Sequence, residues 1–183
     1  MNTLTDNDID VQFRDKVYVQ DYTPKQTIDG VRVIELKEMV GEDSNFSELM
    51  RLSPNGESEQ FPGFTVAQIN RSTQIPGSIK AWHLHYIQDE VWCVPDEARL
   101  LTGLWDVRES SPTKGMTMRI PMGGGSRRAI FIPHGVAHGS ANLSSETSII
   151  IYFMNMQFDI KNPDEHRIPW DTLGKDFWSP QRD

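Results

Sequence analysis

Short runs of β-branched, aromatic and aliphatic residues, each closed by a turn rich in proline or glycine, recur along most of this chain. They span residues 31–36, 46–52, 64–70, 79–85, 91–94, 99–107, 116–121, 129–132, 140–143 and 148–154. The turns are chemically explicit: Ser53-Pro-Asn-Gly56, Ile75-Pro-Gly77, Pro95-Asp-Glu97, Ser111-Pro-Thr-Lys-Gly115 and Pro133-His-Gly135 each join proline to glycine or an acidic residue. No helical period runs for ten residues before position 155. About ten strands at this spacing predict an all-β sandwich or barrel.

At 183 residues and 37% hydrophobic content, the chain fits one domain with a real core. Residues 1–30 are charged and unpatterned, and read as an N-terminal arm ordered by a partner subunit. Residues 31–183 read as the barrel with an irregular C-terminal tail, docked through Trp170 and Trp178. Lysine and arginine total 18 against 26 acidic residues, a net charge of -8, which argues against a nucleic-acid or anionic-membrane partner. No window reaches the length of a membrane span, and the polar start lacks a basic-then-apolar export pattern, so a cytoplasmic location is expected. The single cysteine, Cys93, lies in an apolar run and reads as a core residue.

Four of the five histidines fall in two short stretches, residues 77–90 and 133–142. His83 and His85 are two apart on an expected strand, so both imidazoles leave one face, and a turn can return Glu90 towards them. Pro133 and Gly135 set a bend that delivers His138. His83, His85, Glu90 and His138 would supply three nitrogens and one oxygen, a set suited to Zn, Fe, Mn or Ni. The spacing of Gly77, His83, His85 and Glu90, followed by Pro133-x-Gly135-x-x-His138-x-x-x-Asn142, resembles the two signature motifs of the cupin superfamily. That resemblance implies a jelly-roll β-barrel whose metal ligands come from those positions. The glycine that closes the first motif is replaced by Glu97, and the one expected ahead of Pro133 is displaced to Gly125.

A narrower resemblance covers most of residues 64–178. Gln68-Ile-Asn70-Arg71-Ser72, Lys80-Ala-Trp-His83, Asp106-Val-Arg108-Glu-Ser-Ser111-Pro-Thr113, Phe131-Ile-Pro-His-Gly-Val-Ala-His138-Gly139, Tyr152, Ile168-Pro-Trp170-Asp171 and Trp178 occur in that order. Together they are similar to the dTDP-4-dehydrorhamnose 3,5-epimerase family, of which this chain looks like a divergent member. The resemblance implies a cupin barrel, a homodimer, no metal cofactor and a nucleotide-sugar substrate of carbohydrate biosynthesis. Epimerising a carbon beside a ketone needs a base on one face and an acid on the other. By resemblance His83 is the base, Asp171 the carboxylate that orients it and Tyr152 the acid, with Gln68, Asn70, Arg71, Lys80 and His138 binding substrate. His134 and His166 read as surface residues.

The chain also departs from the family pattern. Glu90 stands where the family has an enolate-stabilising lysine, and a carboxylate would repel the developing oxyanion. Residues 41–48 replace a phosphate-holding segment but contain no arginine, and Lys80 replaces an arginine, losing its bidentate fork. Lys80 has the opposite strand parity to His83, so it reaches the pocket only through a twist or bulge. Arg71, Arg108, Arg127 and Arg128 remain as candidate phosphate contacts. Two alternatives follow: a metal-dependent cupin enzyme using His83, His85, Glu90 and His138 on another small keto or hydroxy compound, and a sugar-binding cupin without turnover. In the metal scheme His83 would be a ligand and could not also be a free base.

Overall fold

The computed structural model describes residues 3–95 and 99–181. The Glu97 departure and part of its turn lie outside the described residues. Twelve strands follow in chain order: β1 (Arg32–Glu35), β2 (Glu38–Val40), β3 (Asn45–Ser47), β4 (Gln68–Gln74), β5 (Ile79–Leu84), β6 (Glu90–Cys93), β7 (Arg99–Asp106), β8 (Thr117–Gly123), β9 (Arg128–Ile132), β10 (Val136–Ala141), β11 (Ser148–Met154) and β12 (His166–Arg167). Ten of them form two five-stranded sheets, β1-β9-β6-β11-β4 and β12-β5-β10-β7-β8, and all their pairings are antiparallel. This is the expected all-β jelly-roll arrangement. The hairpin of β2 and β3 stands apart.

Alternation along the strands divides the apolar residues among three clusters. Trp92, Leu100, Leu104, Ile130, Ile132 and Ile150 fill the space between the sheets. Val91, Cys93, Phe131 and Phe153 point the other way from the first sheet and meet Phe61 and Phe64 of the chain that runs over it. Trp82, Leu101, Ala137 and Ala141 leave the outer face of the second sheet and meet Trp178. The central strands of both sheets are therefore buried on both faces. Trp178 is 2% exposed with its ring 4.8 Å from that of Trp82, whereas Trp170 stays 37% exposed, so one of the two expected tryptophans docks the tail. Burial of roughly 150–250 Å² per tryptophan explains why an irregular segment holds fast here. Gly103 makes room for it, since a Cβ there would lie 2.6 Å from the Trp178 ring.

Several expected boundaries shift. The 64–70 run becomes β4 seven residues long from Gln68, because Phe64 is consumed in the outer cluster. The 46–52 run keeps only Asn45–Ser47, and the 140–143 run is the end of a strand that begins at Val136. Ile28, inside the expected arm, is buried in the central cluster.

One irregularity positions the site. His138 pairs with His83 and Ser140 with Lys80, so a single β10 residue, Gly139, faces Ala81 and Trp82 together. Ala81 and Trp82 both pack in the outer cluster. The extra residue in β5 is a bulge, and it turns Lys80 and His83 to the same inner side. Gly139 permits it: a Cβ there would press on Ala81 and sit 2.8 Å from the Lys80 carbonyl.

Candidate active site

A cavity of about 240 Å³ opens between the two sheets. The first sheet contributes Gln68 and Asn70 from β4, Glu90 and Trp92 from β6, and Tyr152 and Met154 from β11. The second contributes Lys80 and His83 from β5 and His138 from β10, with His85 just beyond β5. His83 and Tyr152 thus occupy opposite walls. Segment 156–165 crosses the mouth. Asp164 fixes it there, its carboxylate accepting hydrogen bonds at 2.8 Å from the backbone amides of Tyr86, Ile87 and Gln88 in the turn that carries the site.

His83 Nδ1 lies 2.7 Å from Glu165 Oε1, and Arg167 Nη1 lies 2.9 Å from His83 Nε2. A guanidinium only donates, so Nε2 carries the lone pair and Nδ1–H donates to the carboxylate. This is the tautomer a base needs. Arg167 rests on that lone pair and must leave it before His83 can take a proton; its side chain is 55% exposed. Burial pushes the Glu165 carboxyl up, but the hydrogen bond and charge of His83, with Arg167 and His85 near, hold it below its usual value. The carboxylate beside His83 is therefore Glu165, not Asp171. Asp171 is exposed in the turn after Pro169, where its backbone carbonyl accepts from Gly174. Replacing Glu165 with Gln is expected to lower kcat by about 10²–10⁴-fold, while Asp171→Asn stays within about twofold of wild type. Steady-state rates of the two variants check this, and the opposite ranking would refute the pairing.

On the facing wall, Tyr152 stacks edge-on against Trp92 at 5.1 Å, with the Ser72 hydroxyl near its phenol. Burial, reinforced by the charges of Glu90 and Glu165 and only partly opposed by Ser72, pushes its phenol up to about 12. It stays protonated, as an acid must. Lys80 Nζ donates to Ser72 Oγ at 2.9 Å, so the lysine is tied to the β4 side of the cavity. Gln68 and Asn70 hydrogen-bond each other at 3.0 Å, and Gln68 Oε1 accepts from the Phe158 amide at 2.9 Å.

The arginines fare differently. Arg71 pairs across the ladder with Ile151, whose side chain packs in the outer cluster, so Arg71 is exposed on the far face and does not reach the cavity. Arg108 is bound to Asp106, Arg127 to Glu38 and Arg128 to Glu35. No residue of 41–48 lines the cavity. Of the cavity's described charged lining, Lys80 is the one lysine or arginine against Glu90, Asp159, Asp164 and Glu165. His134 and His166 are surface residues as expected, paired with Asp89 and Asp164.

The expected metal quartet separates into two groups. His85, Glu90 and His138 offer ligand atoms within 4.8 Å of one another, all buried, and His83 is not among them. His83 is drawn off by Glu165. Burial pulls His85 down, but the hydrogen bond and charge of Glu90 outweigh it and raise its pKa. Burial pushes Glu90 up, yet His85, His138 and the Trp92 N–H hold it at about 2. Burial takes His138 down to about 4. Glu165, Arg167, Gln88 and Trp92 escaped the sequence reading. The Asp164-Glu165-His166-Arg167 run looks like a solvated tail, and its pairing with β5 and the Asp164 hydrogen bonds bring it to the cavity.

Residues 25–177 match the family model of dTDP-4-dehydrorhamnose 3,5-epimerase. The chain belongs to this family. It is 40% identical over 149 residues to the spore coat polysaccharide biosynthesis protein SpsL of Bacillus subtilis, covering 80% of this chain and 94% of that one. It is 34% identical over 100 residues to Agl13 of Haloferax volcanii, a probable low-salt glycan biosynthesis epimerase, covering 55% and 64%. The fold matches NovW of Streptomyces spheroides, a 4-keto-6-deoxy sugar epimerase, with a TM-score of 0.70 at 23% identity over 85% of this chain and 78% of that one. It also matches the 3,5-epimerase of Legionella pneumophila, solved with dTDP-4-keto-L-rhamnose, with a TM-score of 0.70 at 24% identity over 86% and 83%.

Proposed function

We propose that this member of the epimerase family removes and returns a proton beside the ketone of a nucleotide-linked 4-keto sugar, in a pathway of carbohydrate biosynthesis. The observation that carries the reading is the placement of His83 and Tyr152 on opposite walls of one cavity. Inversion requires proton removal from one face and delivery to the other. His83 Nε2 takes the proton, Glu165 stabilises the imidazolium through Nδ1–H, and Tyr152 delivers a proton from across the cavity. Ser72 and Lys80 lie behind the phenol and offer it a route of resupply.

The cavity falls below the roughly 300–1,000 Å³ of sites that enclose a drug-sized ligand, which supports entry of the sugar ring with the nucleotide outside. Its acidic lining also favours keeping the phosphates out. Gln68 and Asn70 contact the sugar, and Arg167, exposed beside His83, is available to a phosphate once it leaves that ring. The family relatives named above, two of them with sugar ketones in their descriptions, support the substrate class. The exposed Val11, Phe13, Tyr18, Val19 and Tyr22 of the arm support a homodimer in which a second subunit covers them. No helix of the described residues is long and apolar enough to cross a membrane, and a nucleotide-sugar substrate favours a cytoplasmic enzyme.

Incubation of the protein in deuterium oxide with a dTDP-linked 4-keto-6-deoxy sugar tests the reading. Deuterium is expected beside the ketone. Exchange no faster than that of a His83→Asn, Tyr152→Phe double variant would overturn it.

A further inference from the structure

We propose that the groove on the outer face of β7 and β8, bracketed by Arg99 and Arg119, is a binding site for a small organic phosphate, separate from the cavity of His83 and Tyr152. A void of about 560 Å³ lies there, within the roughly 300–1,000 Å³ of sites that enclose a small molecule. The pairing of β7 with β8 sets its geometry. Arg99 stands opposite Gly123, Leu101 opposite Pro121 and Gly103 opposite Arg119. Residues two apart on a strand, and residues directly paired across an antiparallel ladder, share a face. Leu101 packs in the outer cluster, so this face is the one turned away from the cavity between the sheets. The two arginines therefore rise at the two ends of a floor made by Leu101 and Pro121, and Pro180 and Gln181 of the tail line the groove as well.

What marks the groove is uncompensated positive charge. Arg51, Arg108, Arg127, Arg128 and Arg167 each pair with a carboxylate. Arg99 and Arg119 have no such partner among the described residues, and no acidic residue is among the groove's described lining. Arg119 Nη2 donates to the Ser179 carbonyl at 2.6 Å and Arg99 Nη2 to the Gly124 carbonyl at 3.3 Å. Both acceptors are neutral, and most of each five-donor fork is left unused. Arg119 Nε is buried without any hydrogen-bond partner. Burial lowers the pKa of this guanidinium, with no carboxylate to raise it. A half-buried cation with a spare donor costs stability unless an anion meets it.

The chemistry of the lining selects the ligand. A guanidinium presents paired N–H donors that match a phosphate in bidentate fashion. Leu101, Pro121 and Leu143, the last 43% exposed, offer the rest of the molecule an apolar surface. A second void of about 340 Å³ shares Arg119 and Gln181 with the first and adds Lys25, again with no acidic residue in its described lining. The contrast with the cavity between the sheets is one of sign. That cavity is lined by Glu90, Asp159, Asp164 and Glu165, whereas the described charged residues of this groove are arginines alone. On a chain of net charge -8, three cations in a row without acids reverse the local field and attract anions. Gly124 lets Arg99 lie along the groove, since a Cβ there would sit 2.6 Å from Arg99 Nε.

Phenyl phosphate, which carries one phosphate and one flat apolar ring, serves as the probe. It is titrated into the full chain while backbone amide NMR signals are followed, with inorganic phosphate in a parallel titration. Saturable shifts of the Leu101, Gly123 and Gly124 amides are expected, at a Kd of about 1 mM or below. Inorganic phosphate, which buries no apolar surface, should bind at least about tenfold more weakly. Arg99→Gln and Arg119→Gln should each weaken binding at least about tenfold, the effect of losing a hydrogen bond to a charged group. Arg167→Gln, beside His83, should leave it within about twofold. Arg99 is exposed, so its variant carries the test even if Arg119→Gln loosens the tail. Absence of shifts at those amides up to about 10 mM probe sinks the proposal, and so do equal affinities of wild type and Arg99→Gln. Inorganic phosphate that binds as tightly as phenyl phosphate rules out an organic ligand. Shifts confined to the cavity between the sheets, and lost in Arg167→Gln, would place the phosphate at the substrate site and overturn the assignment as well.

Discussion

His83→Asn is expected to slow deuterium wash-in beside the ketone by about 10²–10⁴-fold, whereas Tyr152→Phe keeps most of the wash-in and loses a similar factor in inverted product. The asymmetry follows from position. His83, with its lone pair at Nε2 and Glu165 behind Nδ1, is equipped to remove a proton, and without it no enolate forms. Tyr152, held protonated on the facing wall, has nothing to do until the enolate exists. Its phenylalanine variant should therefore enolise substrate and return deuterium from the original side. Mass spectrometry for incorporated deuterium, combined with proton NMR for configuration, separates the two quantities. If both variants lose exchange and inversion in equal proportion, the division of labour between base and acid is wrong.

The second large effect concerns stability. Asp106→Ala should destabilise the fold by about 3–5 kcal/mol, the cost typical of removing one partner of a buried ion pair. Asp106 is fully buried and accepts from Arg108 Nε and Nη2 at 2.9 Å, Ser111 Oγ at 2.5 Å and Thr113 Oγ1 at 2.6 Å. Those partners reach on to Asp29, whose amide donates to Thr113 and whose carbonyl accepts from Arg108. Burial pushes the carboxyl up, but these donors overcome it and hold its pKa well below the usual value. A depressed carboxylate pKa adds stability that is present above the unfolded value of about 3.9 and is lost as pH falls below it. Urea denaturation between pH 3 and pH 7 should thus show wild type and Asp106→Ala converging on the acid side. A constant gap across that range would show that the carboxylate charge is not what stabilises.

The Asp106-to-Thr113 string is thus a case in which a family-specific motif was legible as text but not as a role. It ties down the end of the arm and contributes nothing to the cavity lining. Strands were readable where one face is apolar and the other mixed, as in 148–154, which matches β11 residue for residue. The start of β10 was misplaced because its burial is two-sided. All six residues of β10 are buried, so no alternation marks its start at Val136. Strands β2 and β12 are three and two residues long, too short for any period. In the site, His83, Tyr152, His138, Gln68, Asn70 and Lys80 were legible and meet in one cavity. Asp171 and Arg71 were named but lie elsewhere. Glu165 was not legible, because what brings it beside His83 is a tail pairing across some eighty residues rather than anything in its neighbourhood.

The bulge at Ala81 and Trp82 has a bearing on how sites of this kind are transplanted or compared. Strand β5 carries one residue more than its partner, so inside and outside change places partway along it, and Lys80 and His83 share a wall that simple counting assigns to opposite faces. A graft of the cavity onto another jelly roll would have to carry this phase slip together with Gly139, the residue small enough to tolerate it. Copying the histidines alone would leave the lysine aimed at the tryptophans under the tail.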